Sequence, residues 1–131
     1  MNKVFKLPSF NRWMKKTRLS DQKLCAAVKE MIKGLIDADL GRNIVKKRVA
    51  LPGHGKRGAA RTLLATNRKE RWIFLYGFQK NERENISHKE LEVLQDLASD
   101  YLSFSDNELG LMVGSGKLLE VIYGEKEQEK K

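Results

Sequence analysis

Three groups of basic side chains carry the chemistry that this sequence offers. One lies on a predicted strand over residues 44–49, one in the glycine-rich loop and strand start that follow, and one just after the last strand of this region. The members are Lys46, Lys47 and Arg48; Lys56, Arg57 and Arg61; and Lys80 and Arg83. Because side chains alternate along a strand, Lys46 and Arg48 should share one face and Lys47 should lie on the other. Adjacent antiparallel strands should then bring the cations together on a concave, positively charged surface.

A surface of this kind can bind an RNA backbone and can also catalyse its cleavage. Attack by the 2′-hydroxyl of the RNA needs a base for the hydroxyl proton, cations for the charge that builds on the phosphorus centre, and a proton donor for the leaving oxygen. Lysine among other cations can act as the base, and arginine binds phosphate through two parallel hydrogen bonds. This route needs no metal ion. The candidate catalytic residues are therefore Lys46, Lys56, Arg57, Arg61 and Lys80.

The other candidates would hold the RNA. They are Lys47, Arg48, His54, Tyr76 and Arg83. His54 lies beside the basic loop, where it could act as an acid or base or stack on a nucleobase, and Tyr76 could either stack on a base or pack in the core. The alternative for the lysines and arginines of the three basic groups is that they are solvated residues of strand ends and loops, without a functional role.

The charge distribution favours a polyanionic partner. The chain has a formal net charge of +9, and residues 1–86 hold 21 Lys and Arg against 7 Asp and Glu. Residues 87–131 hold 5 against 10, so the positive charge is concentrated in the first two thirds. Phosphate contacts release counterions and supply most of the non-specific affinity for nucleic acid.

Several classes of protein and site are disfavoured. Cys25 is the only cysteine, which excludes an internal disulfide and a zinc site built from several thiolates, and it favours a reducing, cytoplasmic setting. The loop that contains Lys56 lacks the Gly-Lys-Ser/Thr ending of a nucleotide-binding P-loop. The N-terminus does not resemble a secretory signal, and no stretch approaches the roughly 20 apolar residues of a membrane span. We expect no cofactor, no metal and no membrane association.

The strands that must position the basic groups are visible in the hydrophobic pattern. Alternation or apolar runs predict strands over 3–7, 44–49, 60–66 and 71–78. The last two are joined by the polar turn NRKE as an antiparallel hairpin, and the apolar 71–78 suits a central strand buried on both faces. The segment DADLGRN is predicted to be a turn with a kink at Gly41.

Helices are predicted before and after these strands. Ser20 is a candidate N-cap for a helix with one apolar stripe, after a shorter helical segment around Phe10 and Trp13. Ser87 with Glu90, and Ser105 with Glu108, form capping-box signatures for two later helices. KLLEVI is a candidate final strand. The order predicts an α+β fold with a small, mostly antiparallel sheet packed against two N-terminal helices and followed by one or two more. One domain should span 1–123, with 124–131 a frayed charged tail.

The run from Gly34 to Ser87 resembles a branch of the RelE/HigB toxin family of bacterial type II toxin–antitoxin operons. The shared features are the basic strand, GKRGAAR, an aromatic strand ending in FLYGF, and KNERENIS before a helix, and the resemblance covers roughly 3–102. It implies a small sheet on two N-terminal helices and cleavage of messenger RNA, usually on the ribosome. It also implies a co-encoded antitoxin, commonly with a helix-turn-helix domain, that blocks the active surface.

The resemblance also bears on the site. Family active sites draw lysines and arginines from these strands, and the residues at or near matching positions are Lys46, Arg48, Lys56, Arg57, Arg61 and Lys80. The closing R-x-x-Y-like strand of compact members is not evident, so Tyr76, Tyr123 or His54 would have to take its part. The leading hypothesis is an endoribonuclease toxin that leaves a 2′,3′-cyclic phosphate. The alternative is a non-catalytic module that binds nucleic acid or only the antitoxin.

Overall fold

The computed structural model describes residues 3–53 and 58–121. Ten elements follow one another in this part of the chain. In order they are β1 (Lys3–Lys6), α1 (Pro8–Thr17), α2 (Asp21–Ile32), β2 (Ala38–Gly41), β3 (Ile44–Val49), β4 (Ala60–Thr66), β5 (Arg71–Gln79), α3 (His88–Ser103), α4 (Asp106–Gly114) and β6 (Leu119–Glu120).

The strands form one six-stranded mixed sheet in the order β2-β3-β4-β5-β1-β6. The strands from β2 to β5 pair antiparallel with their neighbours, β1 pairs parallel with β5, and β6 pairs antiparallel with β1. The predicted α+β class and the central position of β5 are confirmed. Because β5 has a strand on each side and helices over both faces, its nearly continuous apolar sequence is explained by burial.

Helices cover both faces of the sheet. The α1/α2 face is packed by the N-terminal helices, and its buried residues include Phe10, Met14, Leu24, Val28, Val45, Leu64, Trp72 and Phe74. The α3/α4 face is packed by the C-terminal helices, and its buried residues include Ile44, Leu63, Ala65, Ile73, Phe78, Leu94, Ala98 and Leu109. The predicted helix starts are confirmed: Ser20 accepts a hydrogen bond from the Lys23 N–H, and both capping boxes, at Ser87 and at Ser105, are formed.

The segment DADLGRN contains the predicted turn and the kink at Gly41, where φ is 87° and the β2–β3 register shifts, but it lies in a hairpin that the sequence did not predict. Residues 38–41 form the edge strand β2, which turns back into β3 through Arg42 and Asn43. Both turn residues have positive φ, 50° and 70°, as a two-residue turn of type I′ requires. Asn is a common residue in such turns and Arg is not, which hid the hairpin from the sequence pattern.

A β-bulge in β5 decides which side chains reach the α3/α4 face. Leu63 lies opposite Tyr76 and Leu64 opposite Phe74, so Leu75 is an extra residue in β5. One extra residue reverses the alternation that follows it. Tyr76 and Phe78 therefore lie on the α3/α4 face, opposite to the face that Phe74 occupies.

Gly77 is required by the packing of α1 on β5. A Cβ at this position would lie 2.4 Å from the Trp13 ring, so the indole rests directly on the glycine backbone. Trp13 packs helix to sheet, as the sequence predicts, and lies 5.4 Å from the Phe10 ring centroid. The bulge and this contact together fix the end of β5 that carries Tyr76 and Phe78.

The last element of the described residues is the short strand β6. The predicted final strand is confirmed as Leu119–Glu120, paired with β1. The predicted frayed tail over 124–131 and the candidate Tyr123 lie outside the described residues. Within 3–53 and 58–121, no helix has the length and apolarity needed to cross a bilayer.

Candidate active site

The basic side chains converge on the α3/α4 face of the sheet, at the end that α3 leaves uncovered. Two rows of residues cross β3, β4 and β5 there. In the first row Lys46, Leu63 and Tyr76 lie opposite one another, and in the second Arg48, Arg61 and Phe78 do. We call these two rows the cationic face. Leu63 and Phe78 are buried and form its apolar floor, whereas Lys46, Arg48, Arg61 and Tyr76 are at least partly exposed.

Arg48 and Arg61 form the cationic centre of this face. They are directly opposite one another in the β3–β4 register. Arg61 is half-buried, and its Nη1 donates to the Ala59 carbonyl at 3.1 Å. Arg48 is more exposed, and its backbone N–H and Nε donate to the Asp37 carboxylate at 2.7 and 3.3 Å. Two like charges on directly opposed residues repel one another, and Asp37 offsets that of Arg48 alone, so the pair is suited to bind a further anion such as a phosphate group.

Tyr76 is held from one side by Arg83. The Arg83 Nη1 donates to the phenol oxygen at 3.2 Å, and the Tyr76 ring lies 6.0 Å from that of Phe78. Because arginine has no acceptor, the phenol must be the acceptor in this contact. The hydroxyl hydrogen of Tyr76 is therefore free to point towards another acceptor, such as an oxygen of a bound ligand.

Glu90 positions Arg83. The sequence pattern did not identify Glu90 as a site residue. Its two carboxylate oxygens accept from Arg83 Nη2 and Nη1 at 2.6 and 2.9 Å, and one of them also accepts the Ser87 N–H at 2.7 Å. The Arg83 hydrogen bonds, together with those from Ser87, lower the pKa of Glu90 to about 2. The sequence signal was the capping box, which predicts the bond to Ser87 but cannot show that the same carboxylate reaches Arg83.

The ion pair between Glu90 and Arg83 should make a pH-dependent contribution to the free energy of unfolding. The pKa of Glu90 is about 2 in the folded protein, below its ordinary 4.5, so its stabilisation is complete above pH 4.5 and is lost as the pH falls through 2. Urea unfolding of Glu90→Gln should show a lower stability than wild type at neutral pH and a shallower loss in acid, with the curves converging near pH 2. Glu92→Gln, exposed on the same helix, should follow wild type. Parallel curves for wild type and Glu90→Gln would contradict this role.

The other predicted site residues are placed differently. Lys47 lies on the α1/α2 face, as alternation predicts, where its buried ammonium pairs with Glu30 at 2.8 Å and donates to the Leu35 carbonyl at 2.9 Å. Lys80 is exposed in the turn after β5, beyond the strand end where Gln79 pairs with Ala60. Three further candidates, His54, Lys56 and Arg57, lie outside the described residues.

The described residues suit anion binding through cations. Within 3–53 and 58–121 there is no cluster of His, Cys, Asp and Glu arranged to hold a metal ion. What the cationic face does combine is a lysine, two adjacent arginines and a tyrosine over an apolar floor. An apolar floor raises the strength of charge interactions above it, because it excludes water from one side.

A known protein family matches nearly the whole chain. The family model described as the RelE toxin of the RelE / RelB toxin-antitoxin system matches residues 2–121, nearly the whole chain. This range contains the six strands and four helices of the described residues, and the resemblance inferred from the sequence is confirmed. Among curated proteins none matches the chain.

Proposed function

Because the chain belongs to the RelE toxin family of RelE/RelB toxin–antitoxin systems, we propose that it is an endoribonuclease that cleaves messenger RNA and inhibits translation. As a family member it is the toxin of such a system and has a cognate antitoxin as its partner. The proposal adds the reaction, the RNA substrate and the ribosome as the place of cleavage, which puts the protein in the cytoplasm. It also adds that the antitoxin carries a helix-turn-helix domain.

The observation that carries the proposal is the arrangement of the two rows on the cationic face. Arg48 and Arg61 lie side by side, so both can bind one phosphate. Lys46 and Tyr76 lie at the two ends of the neighbouring row, two strand spacings or about 10 Å apart. A scissile phosphate held near Arg61 would thus have a candidate base on one side and a candidate acid on the other, as an in-line displacement needs.

The reaction that we propose is transfer to the adjacent 2′-hydroxyl. Lys46, in its neutral form, takes the 2′-hydroxyl proton while the oxygen attacks phosphorus, and Arg48 and Arg61 stabilise the charge on the phosphoryl oxygens. Tyr76 donates its proton to the leaving 5′-oxygen, since Arg83 occupies the phenol oxygen as a donor. The products are a 2′,3′-cyclic phosphate and a free 5′-hydroxyl.

The remaining candidates keep proposed roles outside this core. Lys56 is the alternative base, Arg57 a second phosphate ligand, and Lys80 a contact to the flanking backbone. His54 is an alternative acid or a stacking residue. Arg83 acts through Tyr76, and we assign no RNA contact to Lys47, because Glu30 and Leu35 already bind its ammonium.

Induced expression in bacteria tests the proposal directly. We expect growth arrest and new cuts in an abundant messenger, mapped by primer extension, in the reading frame if the ribosome is required. Purified protein, incubated with ribosomes that carry a messenger, should leave a 2′,3′-cyclic phosphate at the end of the cut RNA. Normal growth and intact messengers, with folded protein present, would favour the non-catalytic binding module instead. Cut ends with a 3′-hydroxyl and a 5′-phosphate, the products of attack by a metal-activated water, would contradict the metal-independent route.

A further inference from the structure

A pocket lies at the free edge of β5, beside the cationic face. The last β1–β5 pair is Lys6 with Phe74, and the chain then turns into α1, so residues 75–79 extend beyond the parallel partner. The space next to this exposed edge is a cavity of about 240 Å³, which we call the edge pocket. Its lining residues include Phe10, Trp13, Tyr76, Phe78, Glu82 and Arg83.

The size and lining of the edge pocket suit a flat aromatic ring. Its volume is below the roughly 300–1,000 Å³ of pockets that enclose drug-sized ligands, so it fits one ring system rather than a whole nucleotide. Four of its lining residues are aromatic; Trp13 and Tyr76 are partly exposed, whereas Phe10 and Phe78 are buried. Trp13 is held in place by its contact with Gly77. Aromatic side chains next to backbone groups at a strand edge are typical of sites that bind unstacked nucleobases.

The edge pocket and the cationic face share two residues. Tyr76 and Arg83 line the pocket, and the hydrogen bond between them places Tyr76 at the end of the first row of the cationic face. A nucleotide with its phosphate on the cationic face would therefore have the edge pocket within one nucleotide of it. A second, polar cavity near Arg42 and Ser99 lies at the other end of the described sheet, and its lining shares no residue with the cationic face.

The carboxylate of Glu82 is the polar group in the edge pocket that can distinguish one nucleobase from another. One of its carboxylate oxygens accepts the Gln79 N–H at 2.8 Å, which fixes the side chain, and within the described residues the other has no hydrogen-bond partner. An ionised carboxylate only accepts hydrogen bonds, so it favours a base edge that donates. Guanine presents two adjacent donors, its ring N1–H and its amino group, and is the base that such a carboxylate holds best.

We propose that the edge pocket is a nucleobase subsite that prefers guanine, with Trp13 and Tyr76 contacting the ring and Glu82 accepting from its N–H groups. This proposal rests on the proposed function, since it takes RNA as the substrate. It assigns to α1 and to the turn after β5 a part in the selection of the cleavage site.

Binding of 5′-mononucleotides to the full chain tests the subsite without any cleavage, because a mononucleotide has no phosphodiester bond to cut. Tryptophan fluorescence reports the pocket, since Trp13 lines it and Trp72 is fully buried. We expect GMP to quench the fluorescence and to bind about tenfold more tightly than AMP, CMP or UMP, the size of one charged hydrogen bond. Equal affinity for all four would overturn the guanine preference, and no saturable quenching would overturn the subsite.

Two variants separate the subsite from the ribonuclease. Glu82→Gln should lose the preference for GMP, and Glu84→Gln, a neighbouring exposed glutamate outside the pocket lining, should keep it. In cut mapping, Glu82→Gln should still cleave but with less selection for guanine. Unchanged binding and cut sites in Glu82→Gln would overturn the subsite while leaving the ribonuclease intact. Specific GMP binding without RNA cleavage would support the subsite and contradict the proposed ribonuclease function.

Discussion

Arg61→Ala should reduce RNA cleavage by at least about 100-fold, with loss of growth arrest, while the protein stays folded. Removing one preorganised donor to a developing oxyanion typically costs that much in rate. Arg61 lies opposite Arg48 in the β3–β4 register, at the centre of the cationic face, and its side chain is not paired with a carboxylate in the described part of the chain. The fold should tolerate the change because the Arg61 side chain is half-buried and, within 3–53 and 58–121, makes one hydrogen bond, to the Ala59 carbonyl. Initial rates of cleavage of a messenger on ribosomes, with thermal unfolding of the purified variant, measure both effects.

Arg68→Ala is the matched control for this experiment. Arg68 lies in the turn between β4 and β5, at the opposite end of those strands, and its exposed side chain pairs with Asp39. The substitution removes the same charge and the same side chain, so a general loss of affinity for polyanions would affect both variants. We expect Arg68→Ala to cleave within about threefold of wild type, as a single distant charge is screened by salt. Equal losses in the two variants, or full activity in Arg61→Ala, would contradict the proposed centre.

The sequence was most informative about the strands that carry the cations. Alternation and turn residues predicted 44–49 and 60–66 with the bounds that the structure has, and they placed Lys46 and Arg48 on the face opposite to Lys47. These predictions hold because a strand has a fixed period of two and its flanking turn residues are distinctive. Which face would be open to a ligand could not be read from the strands alone, since that depends on where α3 packs.

The position of Tyr76 could not be predicted. Strict alternation through 71–78 would place Tyr76 with Trp72 and Phe74, on the face that α1 and α2 cover. The bulge at Leu75 moves it to the other face, but every residue around it is apolar, so the hydrophobic pattern contains no signal of the reversal. Bulges often occur next to active sites, because they re-aim a side chain without changing the rest of the sheet.

Contacts between distant segments were also beyond the sequence. Glu90 was recognised for its bond to Ser87 in the capping box, and its second partner, Arg83, became visible only in the folded chain. Arg71 is a stronger case, because it is one charged residue at the start of an apolar strand and its partners lie 30 to 35 positions later. A local pattern cannot show that a charge will be buried against carbonyl groups from another element.

The buried Arg71 guanidinium joins the sheet to the C-terminal helices. Its Nη1 donates to the carbonyl groups of Tyr101, Leu102 and Phe104 at 3.0, 3.4 and 2.6 Å, where α3 ends and its carbonyls lack helical partners. Its Nη2 donates to Asp106 in the first turn of α4 at 2.9 Å. Lys3 and, after it, Arg71 lower the pKa of this aspartate. One side chain therefore satisfies the end of α3 and fixes the start of α4.

Arg71→Met should lower the free energy of unfolding by about 2–4 kcal/mol, because it keeps the aliphatic stem but leaves buried carbonyl groups without donors. Lys3→Met removes the other cation at Asp106, from an exposed pair, and should cost less than about 1 kcal/mol. Urea unfolding of the three proteins measures these differences. Cleavage per folded molecule should stay near wild type in Arg71→Met, since the cationic face lies at the far end of β5. A loss below 1 kcal/mol would show that water replaces the guanidinium at the end of α3, and a selective loss of activity would place Arg71 in the site instead.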